Sequence, residues 1–157
     1  MYTISEGMSG KCIRATELIH ASTRLFSFDL SCTQKEKTYQ TIQVGPDKHC
    51  LADPIIVLLN HSCDPNLIID AENGLIYAHK EICPGEELNY FYPSTEWDMA
   101  RPFKCNCKSS RCIGDVKGAS WTPVNILSAY YLNNHIVDLI MENINNSNSL
   151  EGFLKVK

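Results

Sequence analysis

Three cysteines that lie close together in the chain have the spacing of a metal site. Cys105, Cys107 and Cys112 form a C-x-C-x4-C cluster in a polar stretch rich in lysine, serine and glycine. Cysteines two residues apart do not readily form a disulfide with each other, whereas their thiolates can bind one ion. A tetrahedral zinc site needs a fourth ligand from elsewhere in the chain. Four ligands would leave no position for a reacting water, so we expect one structural zinc ion. The alternative is three unrelated thiols in a polar loop.

A second group of chemically capable side chains lies between residues 60 and 66. Asn60-His61-Ser62-Cys63-Asp64-Pro65-Asn66 follows the apolar run of residues 55–59. A neighbouring cysteine and histidine suggest a cysteine nucleophile, but side chains so close in sequence seldom adopt the geometry of a thiolate and its base. We interpret the segment as a polar site that opens at the end of a buried stretch.

A third segment, Gly85-Glu86-Glu87-Leu88-Asn89-Tyr90-Phe91-Tyr92, reads as a turn that enters a short strand. Because strand side chains alternate, Tyr90 and Tyr92 are expected on one face. Two phenols on one face can line a narrow channel. The alternative is an ordinary aromatic strand packed in the core.

The elements that must position these groups are short strands separated by turn signals such as Pro84-Gly85. Residues 54–60 allow one or two helical turns. The pattern predicts a mainly β fold of small antiparallel sheets. The candidate strands cover residues 12–15, 25–30, 38–44, 67–70, 75–79 and 87–91.

The C-terminal third has a different composition. Residues 101–120 show almost no apolar periodicity, and a helix is predicted from Thr122, with Pro123 at its first turn. We expect a main domain over residues 1–100, a zinc loop over 101–120, a helix over 121–145 and a flexible tail over 146–157. The helix is expected to pack on the domain, and the alternative is a partner-binding helix. Its expected apolar stripe is Ile126, Tyr130, Val137, Met141 and Ile144.

Charge and composition limit the function classes. The chain has 157 residues, a net charge of −4 and no basic run, so we expect no direct contact with nucleic acid. A mildly acidic surface suits a basic partner such as a lysine-rich peptide. No apolar run reaches the roughly 18 residues of a membrane span. The composition leaves the oligomeric state open.

The chain contains eight cysteines, an even number that also fits a secreted protein held by disulfides. However, Met1–Glu6 does not show the basic and then apolar pattern of a signal peptide. We therefore expect an intracellular protein, cytoplasmic or nuclear, in which cysteines outside the cluster are mostly small buried apolar residues.

Taken together, these segments resemble the SET-domain protein-lysine methyltransferases. Residues 60–66 match the N-H-S-C-x-P-N motif of that family, and residues 85–92 resemble its G-E-E-L-T-x-D-Y motif. The cysteine cluster resembles the post-SET zinc loop, and Gly10–Ala15 resembles the cofactor strand G-x-G-V-x-A. The resemblance covers about residues 4–120 and fits a short, stand-alone member. It implies small sheets around a knot-like crossing, the β-clip or SET fold, where residues 60–66 meet the tyrosine strand.

The resemblance also implies roles for individual residues. Asn60 and His61, with the backbone of Lys11 and Cys12, are expected to bind S-adenosyl-L-methionine. Tyr92 is expected to border the cofactor as the catalytic tyrosine.

Two further positions take roles from the resemblance. Tyr90 lies where Phe or Tyr influences how many methyl groups are added, and a tyrosine there implies monomethylation. Cys63 maps onto the fourth zinc ligand. The expected substrate is a lysine in a histone or another protein.

The sequence departs from the family pattern at three positions. Cys12 replaces the second glycine of G-x-G, Phe91 replaces an acidic residue, and Asn89 replaces a threonine. Cys12 and Phe91 keep open a second hypothesis, a non-catalytic SET-fold binding module.

Overall fold

A computed structural model describes residues 1–7 and 10–154. Its strands are short and occur along the first three quarters of the chain, followed by two helices. The strands are β1 (Tyr2–Gly7), β2 (Gly10–Ala15), β3 (Arg24–Ser27), β4 (Thr33–Gln34), β5 (Thr41–Gly45), β6 (Lys48–Leu51), β7 (Asn60–His61), β8 (Leu67–Asp70), β9 (Leu75–Ala78), β10 (Asn89–Tyr90), β11 (Phe103–Lys104) and β12 (Asp115–Val116). The helices are α1 (Val124–Leu127) and α2 (Asn134–Leu154).

The strands form small sheets, most of them antiparallel. β1 and β2 form a hairpin, β3, β9 and β8 form one three-stranded sheet, and β4, β6 and β5 form another. β11 pairs with β12, and the parallel pair of β7 and β10 joins distant parts of the sequence. The predicted mainly β class with small antiparallel sheets is confirmed. Each of the six predicted strands overlaps an observed strand.

The main core is formed by apolar side chains from the hairpin, both three-stranded sheets and a short 3-10 turn at Ile56–Leu58. Ile13, Ile69, Ile76 and Leu88 are completely buried there. Burying each such side chain contributes about 1.5–3 kcal/mol relative to leaving it in water. The core therefore holds the sheets in fixed positions around the segments that carry the polar motifs.

The predicted C-terminal helix is present but divided. α1 and α2 are separated by residues 128–133, and α2 continues to Leu154, past the predicted helix end at residue 145. The side chains of residues 147–154, and all of residues 155–157, lie outside the described part of the chain. The flexibility of the tail therefore stays a prediction, as does the division into domains.

The C-terminal helices pack on the domain through a second apolar cluster. Its buried members include Phe91, Leu127 and Ile136. The predicted stripe was wrong for α2, because Val137 and Met141 are exposed. The break between the helices resets the helical phase, so a repeat that runs continuously from residue 126 does not describe the face of α2.

Asn133, immediately before α2, connects the helix to the rest of the fold. Its side-chain amide donates to the carbonyls of Ile69 (3.0 Å) and Ser94 (2.8 Å), and its Oδ1 accepts from the Ala71 N–H (2.8 Å). The side chain is 1% exposed, so water cannot replace these bonds. Asn133 thus joins the end of β8 to the segment that follows Phe91.

In the described part of the chain, no helix combines the length and apolarity that a bilayer crossing requires.

We predict that Asn133→Ala lowers the free energy of unfolding by about 2–4 kcal/mol, because it leaves buried backbone groups without partners. Asn134→Ala is the matched control, since Asn134 is exposed one residue further along the chain. Urea unfolding followed by circular dichroism measures both. Equal stability of the two variants would contradict the role given to Asn133.

Candidate active site and metal centre

The parallel pair of β7 and β10 brings the two polar motifs together. Asn60 lies opposite Asn89 and His61 opposite Tyr90 in the register. The Tyr92 N–H, just beyond β10, donates to His61 Nδ1 at 3.2 Å. The structure therefore places Tyr92 against His61, as the resemblance implied.

A cavity of about 620 Å³ opens at this crossing. Its wall includes both sequence motifs, strand β5 and the start of the cysteine loop. Among the residues that line it are Thr41, Leu59, Asn60, His61, Glu87, Tyr90, Tyr92, Glu96, Phe103, Cys105 and Cys107. A pocket of this size has room for a nucleoside-sized ligand and an extended side chain.

Tyr90 and Tyr92 form an aromatic wall inside the cavity. Their ring centroids lie 4.6 Å apart, and the Tyr92 hydroxyl donates to the Leu59 carbonyl at 2.9 Å. Burial is the main cause that raises the pKa of both phenols, and the nearby Glu96 carboxyl adds to the rise. Both side chains therefore stay neutral at physiological pH and act as hydrogen-bonding groups.

His61 links the tyrosine to the cysteine cluster. Because a backbone N–H can only donate, Nδ1 of His61 accepts from Tyr92, and the neutral ring carries its proton on Nε2. Nε2 lies 3.2 Å from the Cys63 sulfur, so this N–H points at the thiol group. Burial lowers the pKa of His61 to about 4, which keeps the ring neutral.

Asn60 lines the cavity and contacts strand β2 and Glu87. Its side-chain amide donates to the Glu87 carboxylate at 2.8 Å and lies 3.4 Å from the Lys11 carbonyl. Arg14 forms an ion pair with Glu87 at 3.7 Å. Asn60 and His61 thus line the pocket, and Asn60 contacts the backbone of Lys11, while the role of these residues in cofactor binding stays a prediction.

The four predicted metal ligands converge at one point. The sulfur atoms of Cys63, Cys105, Cys107 and Cys112 all lie within 4.8 Å of one another, and those of Cys63 and Cys105 are 3.9 Å apart. Tetrahedral zinc with Zn–S bonds near 2.3 Å places its sulfurs about 3.8 Å apart, so the cluster fits that ion. The four-cysteine donor set could bind zinc in a closed structural site.

The cysteine loop is fixed on both sides of the cluster. β11 and β12 close its base, and the Cys105 N–H donates to the Gly114 carbonyl at 2.7 Å. The Ile113 N–H points at the Cys63 sulfur at 3.4 Å, an arrangement that favours a thiolate. Phe103 of β11 reaches the pocket, where its ring lies 5.9 Å from that of Tyr92. The loop therefore forms part of the cavity wall.

The cysteines outside the cluster divide into two kinds. Cys12 and Cys50 are buried, as expected, whereas Cys32 and Cys83 are exposed. All eight cysteines are free in the structure, so it gives the secreted disulfide hypothesis no support.

The two main departures from the family pattern are accommodated away from the cavity. The Cys12 thiol lies 3.4 Å from the Ser5 hydroxyl of β1 and is completely buried. The Phe91 ring stacks on Tyr130, with centroids 3.7 Å apart and planes 6° apart. Neither side chain is among the residues that line the pocket.

Sequence reasoning missed several residues of the site. Phe103, Glu87 and Glu96 line the cavity, and the Tyr130 hydroxyl donates to the Cys63 carbonyl at 2.8 Å. Glu87 belonged to a motif that the sequence already showed, so it could have been found. No sequence motif marks Phe103, Glu96 or Tyr130, because contacts with residues far away in the chain bring them to the site.

Comparisons with known proteins agree with this geometry. The SET domain family model matches residues 10–93. "Methyltransferase flvH" of Aspergillus flavus is 39% identical over 107 residues, which cover 67% of this chain and 60% of that protein. "Histone-lysine N-methyltransferase TRX1" of Oryza sativa subsp. japonica is 30% identical over 105 residues, or 63% of this chain and 9% of that protein. The chain thus spans less than two thirds of either relative.

Solved structures show the same fold. The methyltransferase domain of human SETMAR superposes with a TM-score of 0.55 at 19% identity and covers 75% of this chain and 59% of that one. KRYPTONITE, solved with mCHH DNA, an H3(1-15) peptide and SAH, gives a TM-score of 0.56 at 18% identity, over 73% of this chain and 29% of that one.

We predict that the purified protein holds one zinc ion per chain. Cys112→Ser should reduce the zinc content to a small fraction, because three thiolates leave a structural site incomplete. Cys83→Ser is the matched control, since Cys83 is also exposed but lies outside the cluster. Elemental analysis of the gel-filtered proteins gives the stoichiometry. Full zinc in Cys112→Ser would contradict the site.

Proposed function

Because this chain belongs to the SET-domain family of methyltransferases, we propose that it transfers a methyl group from S-adenosylmethionine to the side-chain amine of a lysine in a protein. The observation that carries the proposal is the convergence of Asn60, His61, Tyr90 and Tyr92 on one cavity. TRX1 is a histone-lysine N-methyltransferase, and KRYPTONITE was solved with an H3 peptide and SAH, which supports a lysine-bearing protein substrate and this methyl donor.

Methyl transfer to an amine needs a neutral nitrogen in line with the methyl group. A free lysine has a pKa near 10.4, so deprotonation at pH 7 costs roughly 4–5 kcal/mol. S-adenosylmethionine supplies a methyl group on a positively charged sulfur when it is bound. Burial of the lysine in a narrow channel, and that positive charge, both favour the neutral amine.

The chain's own residues would do the positioning. Asn60 and His61, with the backbone of Lys11 and Cys12, would hold the cofactor at one end of the cavity. Tyr92 would border the methyl group, with its phenol fixed by the Leu59 carbonyl. Alignment of the reacting atoms can supply several kcal/mol, up to about 7–11 kcal/mol for ideal orientation.

Tyr90 would limit the number of methyl groups. Its ring lines the cavity beside Tyr92, and its hydroxyl would hold a water where a second methyl group would otherwise fit. We therefore propose monomethylation as the main outcome.

The zinc ion would be structural, held by Cys63, Cys105, Cys107 and Cys112. The ion would hold the cysteine loop, and with it Phe103, against the cavity. None of the chemistry at the amine would pass through it.

Histones and other lysine-bearing proteins both remain candidate substrates. We expect no direct binding of nucleic acid or of membrane and an intracellular location, cytoplasmic or nuclear. The alternative, a non-catalytic SET-fold module, would bind the cofactor without transferring its methyl group.

The test is incubation of the protein with isotopically labelled S-adenosylmethionine and either core histones or cell-extract proteins. Mass spectrometry should find the label on lysine side chains. Cofactor binding by calorimetry with no labelled protein would favour the non-catalytic module. Label on free lysine alone would refute the protein substrate.

We predict that Tyr92→Phe lowers kcat by about 100-fold while cofactor affinity changes little, because only the group that orients the amine is lost. Tyr77→Phe is the matched control, since the Tyr77 hydroxyl also makes one hydrogen bond, to Asp70 at 2.8 Å, and lies outside the cavity. Initial rates and calorimetry measure both effects. Equal rates for the two variants would exclude a catalytic role of Tyr92.

We predict that Tyr90→Phe shifts the product from monomethyl-lysine towards dimethyl- and trimethyl-lysine, because loss of the hydroxyl makes room for a methylated amine. Tyr39→Phe is the control, since Tyr39 is an exposed tyrosine at the rim of the same cavity. Intact-mass analysis of the product gives the distribution. An unchanged distribution in Tyr90→Phe would remove Tyr90 from product control.

A further inference from the structure

A buried carboxyl in the cavity wall has no part in the binding described above. Glu96 is 8% exposed and follows the 3-10 turn Tyr92–Ser94. Its Oε1 accepts hydrogen bonds from the Gln43 N–H at 2.9 Å and from the Thr95 hydroxyl at 3.3 Å. Both bonds go to Oε1, which leaves Oε2 available to a group that enters the cavity.

The backbone around Glu96 is held on two sides. The Glu96 carbonyl accepts from the Ala119 N–H at 2.8 Å, and the Thr95 carbonyl is 2.8 Å from Nε2 of the buried His135 in α2. Gly118 makes the first contact possible, because a Cβ there would lie 2.5 Å from the Trp97 carbonyl. The carboxyl therefore has a fixed position.

Glu96 differs in its charge partners from Glu87, the other acidic residue of the described cavity wall. Glu87 is occupied by Arg14 and by the amide of Asn60. Among the described residues, no cation lies within ion-pair distance of Glu96. Lys37 acts on it only at longer range and itself forms an ion pair with Asp98.

Burial raises the pKa of Glu96 to about 7, against the lowering effects of the Gln43 N–H, the Thr95 hydroxyl and Lys37. The other titratable groups that face it are the phenols of Tyr90 and Tyr92. A buried carboxylate that has no cation beside it is stabilised most when a substrate supplies the positive charge.

The other groups near the amine are poor proton acceptors. Tyr90 and Tyr92 are neutral phenols, as their raised pKa values require. The ring of His61 already uses Nδ1 to accept from Tyr92, and its Nε2–H points at Cys63. The proton of a lysine ammonium therefore needs another acceptor inside the cavity.

We propose that Glu96 pairs with the ammonium group of the substrate lysine and takes its proton before methyl transfer, a role that rests on the proposed function. One N–H bond breaks, its electron pair stays on nitrogen, and the proton forms an O–H bond with Oε2 of Glu96. The amine pair then forms the N–C bond to the methyl group of the sulfonium donor. The electrons of the broken C–S bond go to sulfur, which becomes neutral.

Glu96→Gln tests this role, because the amide keeps an oxygen that can accept from Gln43 and Thr95 but has no charge and no basicity. We expect kcat/KM for the protein substrate to fall roughly 100-fold at pH 8, the usual range for loss of a general base. Cofactor affinity should not change. Glu81→Gln is the matched control, since it removes one exposed acidic charge.

The pH profile separates proton transfer from a merely structural role. In the wild type, kcat/KM should fall as the pH drops below about 7, where Glu96 becomes protonated. In Glu96→Gln this inflection should be absent, and the rate should approach that of the wild type near the pKa of free lysine. A variant with wild-type rate and profile overturns the proposal.

A second variant covers the case in which Glu96→Gln does not fold. Glu96→Asp keeps the charge and shortens the side chain, so it should retain the inflection with a lower kcat. Loss of the inflection in a folded Glu96→Asp overturns the proposal.

Binding of n-butylamine, a mimic of the lysine side chain, gives a readout that does not depend on transfer. NMR titration at pH 8 should show at least about tenfold weaker binding to Glu96→Gln than to the wild type. Equal binding overturns the proposed pairing. Weaker binding together with no transfer by the wild type would support the pairing and refute only the proposed function.

Discussion

The parallel contact between β7 and β10 is the constraint on which the site depends. Each strand has two residues, and together they connect segments almost thirty residues apart. So short a strand pair is not stable through its own backbone hydrogen bonds alone. The entropy lost in closing the intervening loop exceeds the free energy that those bonds contribute. Asn66 reinforces it, because its side chain donates to the Glu87 carbonyl and accepts from the Asn89 N–H. If this contact were lost, His61 would no longer meet Tyr92, and Cys63 would leave the other cysteines.

Sequence patterns predicted the features that depend on residues close together in the chain. The spacing of Cys105, Cys107 and Cys112 indicates a metal by itself, whereas Cys63 entered only through the family resemblance, because nothing in residues 60–66 shows which distant loop they meet. The alternation from residue 25 to 30 spans more than one repeat and predicted a strand near β3. β7 and β11 are too short to show any period. The register of α2 could not be predicted, since the irregular residues 128–133 interrupt the helical repeat.

The C-terminal part of the chain stabilises the site through contacts with the segments that carry its residues. Tyr130 donates to the Cys63 carbonyl and stacks on Phe91, while Asn133 accepts from Ala71 and donates to Ser94. These contacts reach the backbone on both sides of the crossing, close to a thiol of the cluster and to the turn that carries Tyr92. Residues 128–133, between the two helices, therefore contribute to the geometry of a cavity that they do not line.

The same contacts bear on the choice between an enzyme and a binding module. The module hypothesis drew its support from Cys12 and Phe91, which depart from the family pattern at positions close to the expected cofactor and to the proposed catalytic tyrosine. Yet the Cys12 thiol turns to Ser5, and the Phe91 ring fills the apolar contact with Tyr130. An acidic side chain at position 91 would be buried against that ring without a partner, at a cost of several kcal/mol. Phenylalanine at position 91 therefore fits the packing against Tyr130, which lies between the two C-terminal helices. The substitution reflects packing and gives no reason to expect the loss of activity.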